Sequence, residues 1–446
     1  MLLLLFWGVL PVFGYGQVGQ STNLPAEDTL RLSLMDATER MLRQNFDIRV
    51  AKSRVEETEV NNSWGAAGRW PSITFQTSES NNYSNIENPT NPFGQAEITN
   101  IGVESRIDAR WEIFNGLQTW VSKARLELLE QQSEGNAQLI IENSLQAVLL
   151  AYYRCVLERE RLQVLQQSLS LSEDRLAYLQ NKRELGTATT FEVLQEEQAV
   201  VSDRQLIAQQ RLTVDQTYRQ LVELMGDPPA QRIIVSDTLQ LDTTQLSYPE
   251  LYERMINSNV DLRNQYINLE ILQKDVELAE RSVMPSLTME TGANISRNYG
   301  EIAGLRDGYG STFGYYLNFT LSFNLFNGGA TRRAIATAQI RRRTEELSLD
   351  QLQHTLKHNL ADLIARYRLQ KELYRVAAEA EEIAQQNLRL SQERFKAGTV
   401  NSLDLRIIQV NYLNASLQRL EAVFQLKSVE AELLRLTGGL LVQTRK

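Results

Sequence analysis

Two hydrophobic periodicities divide this chain. From Ile101 to Ile113 the odd positions carry Ile101, Val103, Ser105, Ile107, Ala109, Trp111 and Ile113, while the even ones carry Gly102, Glu104, Arg106, Asp108, Arg110 and Glu112. The same period of two returns in Tyr315, Leu317, Phe319, Leu321, Phe323 and Leu325 against Tyr316, Asn318, Thr320, Ser322 and Asn324. Such alternation puts each set on one face of a β-strand. Shorter partner strands begin at Ser72-Ile73-Thr74-Phe75 and Ser286-Leu287-Thr288-Met289, each entered through a proline that stops the preceding helix. The expected strand spans are about 71–82, 99–114, 285–296 and 313–326, with polar loops at about 83–98 and 297–312.

The remaining pattern is helical. Gly116 to Gly186 and Gly328 to Gly398 are proline-free stretches of equal length, each able to form a rod of roughly 105 Å. Leu162, Leu165, Leu169, Leu176 and Leu179 keep the three-four spacing of a coiled-coil seam. Long helices are expected over 117–185 and 330–397, with return helices over 189–225 and 401–437. A further helix of about 37 residues runs from near Leu32, and another from near Leu246, to the strand proline. Laid end to end, the two shorter helices of each half match the long one.

These elements occur twice. Glu39-Arg40-Met41, Asn45, Asp47 and Pro71-Ser72 return as Glu253-Arg254-Met255, Asn259, Asp261 and Pro285-Ser286; Phe114-Asn115-Gly116 returns as Phe326-Asn327-Gly328, and Gly186-Thr187 as Gly398-Thr399. A repeat this long is a whole structural half used twice. The expected organisation is a signal peptide at 1–16, a first repeat over 30–226, a linker and equatorial segment over 227–248, a second repeat over 249–438 and a tail at 439–446.

Composition narrows the classes. A net charge of −9 offers nothing to neutralise a phosphate backbone, so no nucleic-acid partner is expected. The one cysteine, Cys155, cannot form an intramolecular disulfide and is read as packed and inert. Beyond the apolar leader no run is long enough for a transmembrane helix, so any membrane entry must use strands. A soluble sandwich with one wet face alternates in the same way. The full row of charges opposite aliphatics and aromatics is instead what a water-filled membrane barrel requires. On that reading Val103, Ile107, Trp111, Leu317, Phe319 and Phe323 touch lipid, and Glu104, Arg106, Asp108, Arg110 and Asn318 line the lumen. His354 and His358 share a helix face but read as solvated residues rather than metal ligands. No catalytic constellation and no cofactor site is expected.

With these motifs in place, the chain resembles the TolC-like outer-membrane efflux family from about Leu32 to Gly439. The resemblance is carried by the duplicated turns Ile113-Phe114-Asn115-Gly116 and Leu325-Phe326-Asn327-Gly328-Gly329, and by the tips Gly186-Thr187 through Glu192-Val193-Leu194 and Gly398-Thr399 through Asp404-Leu405. It implies a mainly α fold with a β-barrel: a homotrimeric tube of long coiled-coil helices forming a periplasmic α-barrel, plus a 12-stranded transmembrane barrel with four strands per chain. The partners it implies are a periplasmic adaptor (membrane fusion) protein, an inner-membrane pump of RND or ABC type, and outer-membrane lipid of a Gram-negative cell. Small-molecule efflux is the implied function, with type I protein secretion and a non-transporting coiled-coil surface protein as alternatives.

The family's periplasmic aperture maps to Glu192 and Asp404, with Gln195 and Ile407 on the next axial turn. Thr189 with Glu192, and Asn401 with Asp404, also read as helix caps. The family's adaptor-docking tip maps to Leu185, Gly186, Thr187, Ala397, Gly398 and Thr399. Where some members carry a Tyr and an Arg that latch the tip, this chain has Phe395 and Val400, which implies weaker polar latching.

Overall fold

The computed structural model describes residues 30–87, 95–229, 233–238, 247–302 and 308–439. The expected signal peptide, nearly all of the tail and part of the linker therefore lie outside the described residues. Two 67-residue helices dominate, α3 (Gln118–Glu184) and α7 (Ala330–Lys396), each about 100 Å long. The return helices α4 (Thr190–Met225) and α8 (Ser402–Leu436) run back along them.

The short helices depart from the expected continuous rod. In the first half α1 (Leu34–Gln44) and α2 (Phe46–Asn61) are separate, and so are α5 (Tyr248–Ser258) and α6 (Val260–Arg281) in the second. The break falls on a duplicated asparagine. Asn45 is buried, its side-chain oxygen accepts from the Ile48 N–H at 3.1 Å, and its amide donates to the Leu224 carbonyl at 2.8 Å. Asn259 does the same with Leu262 at 2.9 Å and Leu436 at 3.0 Å. One side chain thus starts a new helix and ties it to the end of the return helix, so α4 ends against the α1–α2 junction and α8 against the α5–α6 junction. Close contact explains the glycines that end α4 and α8: a Cβ on Gly226 would stand 2.7 Å from the Gln44 carbonyl oxygen, and one on Gly438 2.6 Å from that of Ser258.

At these junctions sit the two main cores. In the first half Met41, Ile48, Leu145, Tyr152, Cys155, Leu221 and Met225 pack together; in the second, Met255, Leu262, Leu360, Ile364, Leu433 and Leu436. Burial pushes the Cys155 thiol up to about 12, so it stays protonated and unreactive. Beside the first core two three-residue strands, β1 (Leu30–Leu32) and β4 (Ile233–Val235), pair in parallel. The Tyr152 hydroxyl lies 2.9 Å from both the Leu32 carbonyl and the Asp237 carboxylate, and Arg159 donates to the carbonyls of Val235 and Asp237. That tie holds the linker against the middle of α3.

At the far end of the rods stands one antiparallel sheet in the order β2 (Ser72–Glu87), β3 (Gln95–Phe114), β5 (Ser286–Ile302), β6 (Gly308–Ser322). The expected polar loops are corrected: most of 83–98 and 297–312 is strand, with 88–94 and 303–307 outside the described residues. Polar side chains such as Asn82, Tyr83 and Asn298 hold no hydrophobic alternation, yet ladder pairing across Asn82↔Asn100 and Asn298↔Gly310 keeps the backbone extended. In the other direction β6 stops at Ser322, so Phe323, expected on the strand, lies just beyond it. The pairing of β3 with β5 shifts register between Glu112 and Phe114, which ends the regular alternation one residue before Ile113.

Candidate functional site: the helix tips and the sheet

At the tip of the first half, Gly186 takes φ 74° and the chain reverses through paired backbone bonds: Thr187 N–H donates to the Lys182 carbonyl at 2.8 Å and Gly186 N–H to that of Arg183 at 2.9 Å. The second tip repeats this at Gly398, φ 75°, with Thr399 to Arg394 at 2.9 Å and Gly398 to Phe395 at 3.0 Å. Both are αL helix ends of the Schellman type. A Cβ at either glycine would meet nothing within 4 Å, so only the positive φ calls for glycine here. The surrounding Leu185 is 79% exposed, leaving an apolar side chain and bare backbone at the end of the rod.

Beyond each tip the two carboxylates expected at the aperture differ. Glu192 folds back on its own cap: its carboxylate accepts from the Thr189 N–H at 2.7 Å and hydroxyl at 2.9 Å, while the Glu192 N–H donates to the Thr189 hydroxyl at 3.2 Å. Hydrogen bonds from the Thr189 backbone and then its side chain hold the Glu192 carboxyl below the usual carboxylate range. At the second tip Asn401 accepts from the Asp404 N–H at 2.8 Å, but the exposed Asp404 carboxylate has no partner among the described residues. Gln195 is half-buried and Ile407 is exposed.

A buried polar network lies just above the tips. Arg175 on α3 and Glu196 on α4 meet at 2.5 Å with side chains only 4% exposed. Nearby, Arg406 of α8 grips Asp203 of α4 with two donors at 2.6 and 2.8 Å. Ser172 donates to Asp203 at 2.7 Å, and Gln409 donates to the Ser168 carbonyl at 2.7 Å. Leu179, Val193, Leu388, Phe395 and Leu405 seal this network below, with Phe395 edge-on to Tyr178 at 5.3 Å. Its partners lie on three helices drawn from both repeats, so local patterning held no signal for it.

In the sheet, register gathers the two predicted faces. One row runs Phe75, Ile107, Ala293, Tyr315, and the row two residues below it runs Ile73, Ala109, Thr291, Leu317. Trp111, Met289 and Phe319 follow. Alternating with these rows are Gln76, Arg106, Asn294 and Gly314; Thr74, Asp108, Gly292 and Tyr316; and Ser72, Arg110, Glu290 and Asn318. Neighbouring rows point to opposite faces. Arg106 donates to Gln76, Arg110 pairs with Glu290 at 3.4 Å, and the Tyr316 hydroxyl donates to Asp108 at 2.7 Å. Glu104 and Val103 occupy the same alternation higher on β3. The outer strands β2 and β6 each leave one edge unpaired among the described residues.

No helix among the described residues is long and apolar enough to cross a membrane. His354 and His358 stand exposed on α7 with ring centroids 4.5 Å apart, and no group of three metal-ligating side chains exists among the described residues.

The family model described as outer membrane efflux protein matches residues 37–227 and 251–439, one span per repeat. No curated protein sequence matches. Among solved structures the chain is similar to CusC, whose description refers to transmembrane channel formation, at 15% identity and a TM-score of 0.72 over 94% of this chain and 96% of that one. It is similar to the CmeC outer membrane channel of Campylobacter jejuni at 14% identity and 0.71 over 96% and 94%. The open-state MtrE outer membrane channel of Neisseria gonorrhoeae gives 17% and 0.69 over 91% and 89%. At such identities the likeness establishes the fold: long helices carrying a sheet at one end.

Proposed function

The chain belongs to the outer membrane efflux protein family, and from that premise we propose that it forms a homotrimeric, passive exit duct for small molecules. The observation that carries the proposal is a four-stranded sheet with one apolar face and two open edges. In hydrocarbon such edges are not tolerated, and three chains joined β6 to β2 would close twelve strands into a barrel. Seams on the helices support the same assembly: Leu369, Val376, Ile383 and Leu390 recur every seventh residue on α7 and are exposed in the single chain, as are Leu194 and Val201 on α4. The charged face of the sheet then lines the lumen, and the helices continue the duct into the periplasm.

Export through such a tube needs a driving pump elsewhere. The glycine tips offer exposed backbone and the Leu185 side chain to a periplasmic adaptor, which would link the duct to an inner-membrane pump. Asp404, with Glu192, supplies the acidic ring at the narrow end. The test is ion conductance of the purified protein in a planar bilayer together with its mass in detergent. A mass of three chains and a cation-selective conductance are expected; a non-conducting monomer or dimer would sink the reading.

A further inference from the structure

All four tryptophans among the described residues meet at one place, the foot of the sheet where strands give way to helices. Trp64 follows α2, Trp70 precedes β2, Trp111 lies near the end of β3 and Trp120 in the first turn of α3. Trp64 and Trp120 stand edge to face at 4.8 Å. Between them lies Arg69, its guanidinium 4.8 Å from the Trp64 ring, 5.2 Å from Trp120 and 5.8 Å from Trp70, while the Trp111 indole N–H donates to the Arg69 carbonyl at 2.8 Å. Trp70 and Trp120 are more than half exposed. The neighbouring Lys123 is already satisfied by Asn62 and Glu127, both at 2.7 Å. The exposed Arg69 guanidinium meets no carboxylate and no acceptor among the described residues.

The fold does not require this cluster. In the second repeat the same helix-to-strand junction is built with Leu278 in place of Trp64, Val283-Met284 in place of Arg69-Trp70, Phe323 in place of Trp111 and Arg332 in place of Trp120. What the first repeat adds is a planar cation clamped among indole faces at the rim of the apolar sheet face. Indoles favour the water–hydrocarbon boundary, and a guanidinium fork matches the two free oxygens of a phosphodiester. We infer that Arg69, held by Trp64, Trp70 and Trp120, binds the phosphate of a glycerophospholipid at the inner edge of the barrel, fixing the depth of the protein in the bilayer. This rests on the reading of the sheet as a membrane barrel.

The cluster supplies its own probe. In a Trp7→Phe background every tryptophan that emits belongs to it. Emission of the detergent-solubilised trimer is titrated with phosphatidylglycerol brominated in its chains, against a brominated maltoside detergent that has no phosphate. The parent should favour the lipid by about fivefold, and Arg69→Gln should bring that preference to about one while Arg69→Lys keeps part of it. An unchanged preference in Arg69→Gln overturns the inference. So does reversal of lipid quenching by millimolar inorganic phosphate, which would assign the site to free anion. Conductance of the same preparation keeps the two readings apart: a conducting parent with no lipid preference defeats only the lipid site, whereas a non-conducting parent defeats the barrel reading.

Discussion

Asn259 donates its side-chain amide to the Leu436 carbonyl, 177 residues further along, and so joins the start of α6 to the end of α8. The first half makes the identical join from Asn45 to Leu224. Each asparagine is at once an N-cap and the side-chain donor to a carbonyl at the end of a return helix, so truncation removes a cap and a tertiary hydrogen bond together. Asn45→Ala and Asn259→Ala should each cost about 1–3 kcal/mol. The two sites share no partner, so the losses should add in urea unfolding.

The Arg175–Glu196 pair predicts an asymmetric response. Glu196→Gln leaves a buried guanidinium with weakened compensation and should destabilise by about 3–5 kcal/mol, whereas the double change Arg175→Met, Glu196→Leu should be close to neutral. Thermal unfolding of both variants tests this; equal losses would mean the pair contributes as a unit of packing rather than of charge.

At the proposed aperture the two acids should behave differently. Asp404→Ala should lower cation selectivity more than Glu192→Ala, because the Glu192 carboxylate is already engaged by Thr189. Glu192→Ala should instead loosen the first turn of α4. Reversal potentials and amide hydrogen exchange at residues 190–193 separate the two effects.

The Glu192 cap also sets a pH dependence. Its folded pKa is depressed below the ordinary 4.5, so the stability it confers is present above that value and is lost as pH falls through the lower, folded one. Exchange protection of the α4 start should therefore be flat from neutral pH to about 4.5 and fall below it. In Glu192→Gln that decline should be absent.

Facing in the sheet is tested by neighbours of opposite orientation. Phe319 aligns with Met289, and Asn318 with Glu290. Phe319→Arg should cost about 2–4 kcal/mol of assembly stability if placed against lipid, and Asn318→Arg little. Normal assembly of the first variant alongside failure of the second would invert the facing.

Gly186→Val with Gly398→Val should leave the trimer in the outer membrane, because no atom stands where the new Cβ would go and the strain of positive φ is confined to two exposed turns, at about 1–2 kcal/mol each. Adaptor crosslinking and efflux should both fall. Undiminished efflux would place the docking contact elsewhere.

The kind of elements and their duplication are legible in the sequence alone, because both are written in local spacing. Alternation at Val103–Trp111 can only sort side chains to two faces of a strand, and a long proline-free, leucine-spaced stretch can only stay soluble as a packed rod. Whatever depends on partners distant in the chain is fixed only when helices and strands pack. The helix breaks at Asn45 and Asn259 because the carbonyls of Leu224 and Leu436 arrive there; polar segments around Asn82 and Asn298 become strand because neighbouring backbones pair with them. Arg175, Glu196, Asp203 and Arg406 look like ordinary wet-face charges until three helices close over them, and the four tryptophans become one site only when the ends of α2, β2, β3 and α3 converge. Periodicity is a property of neighbours along the chain, whereas burial and pairing belong to whatever the fold brings alongside.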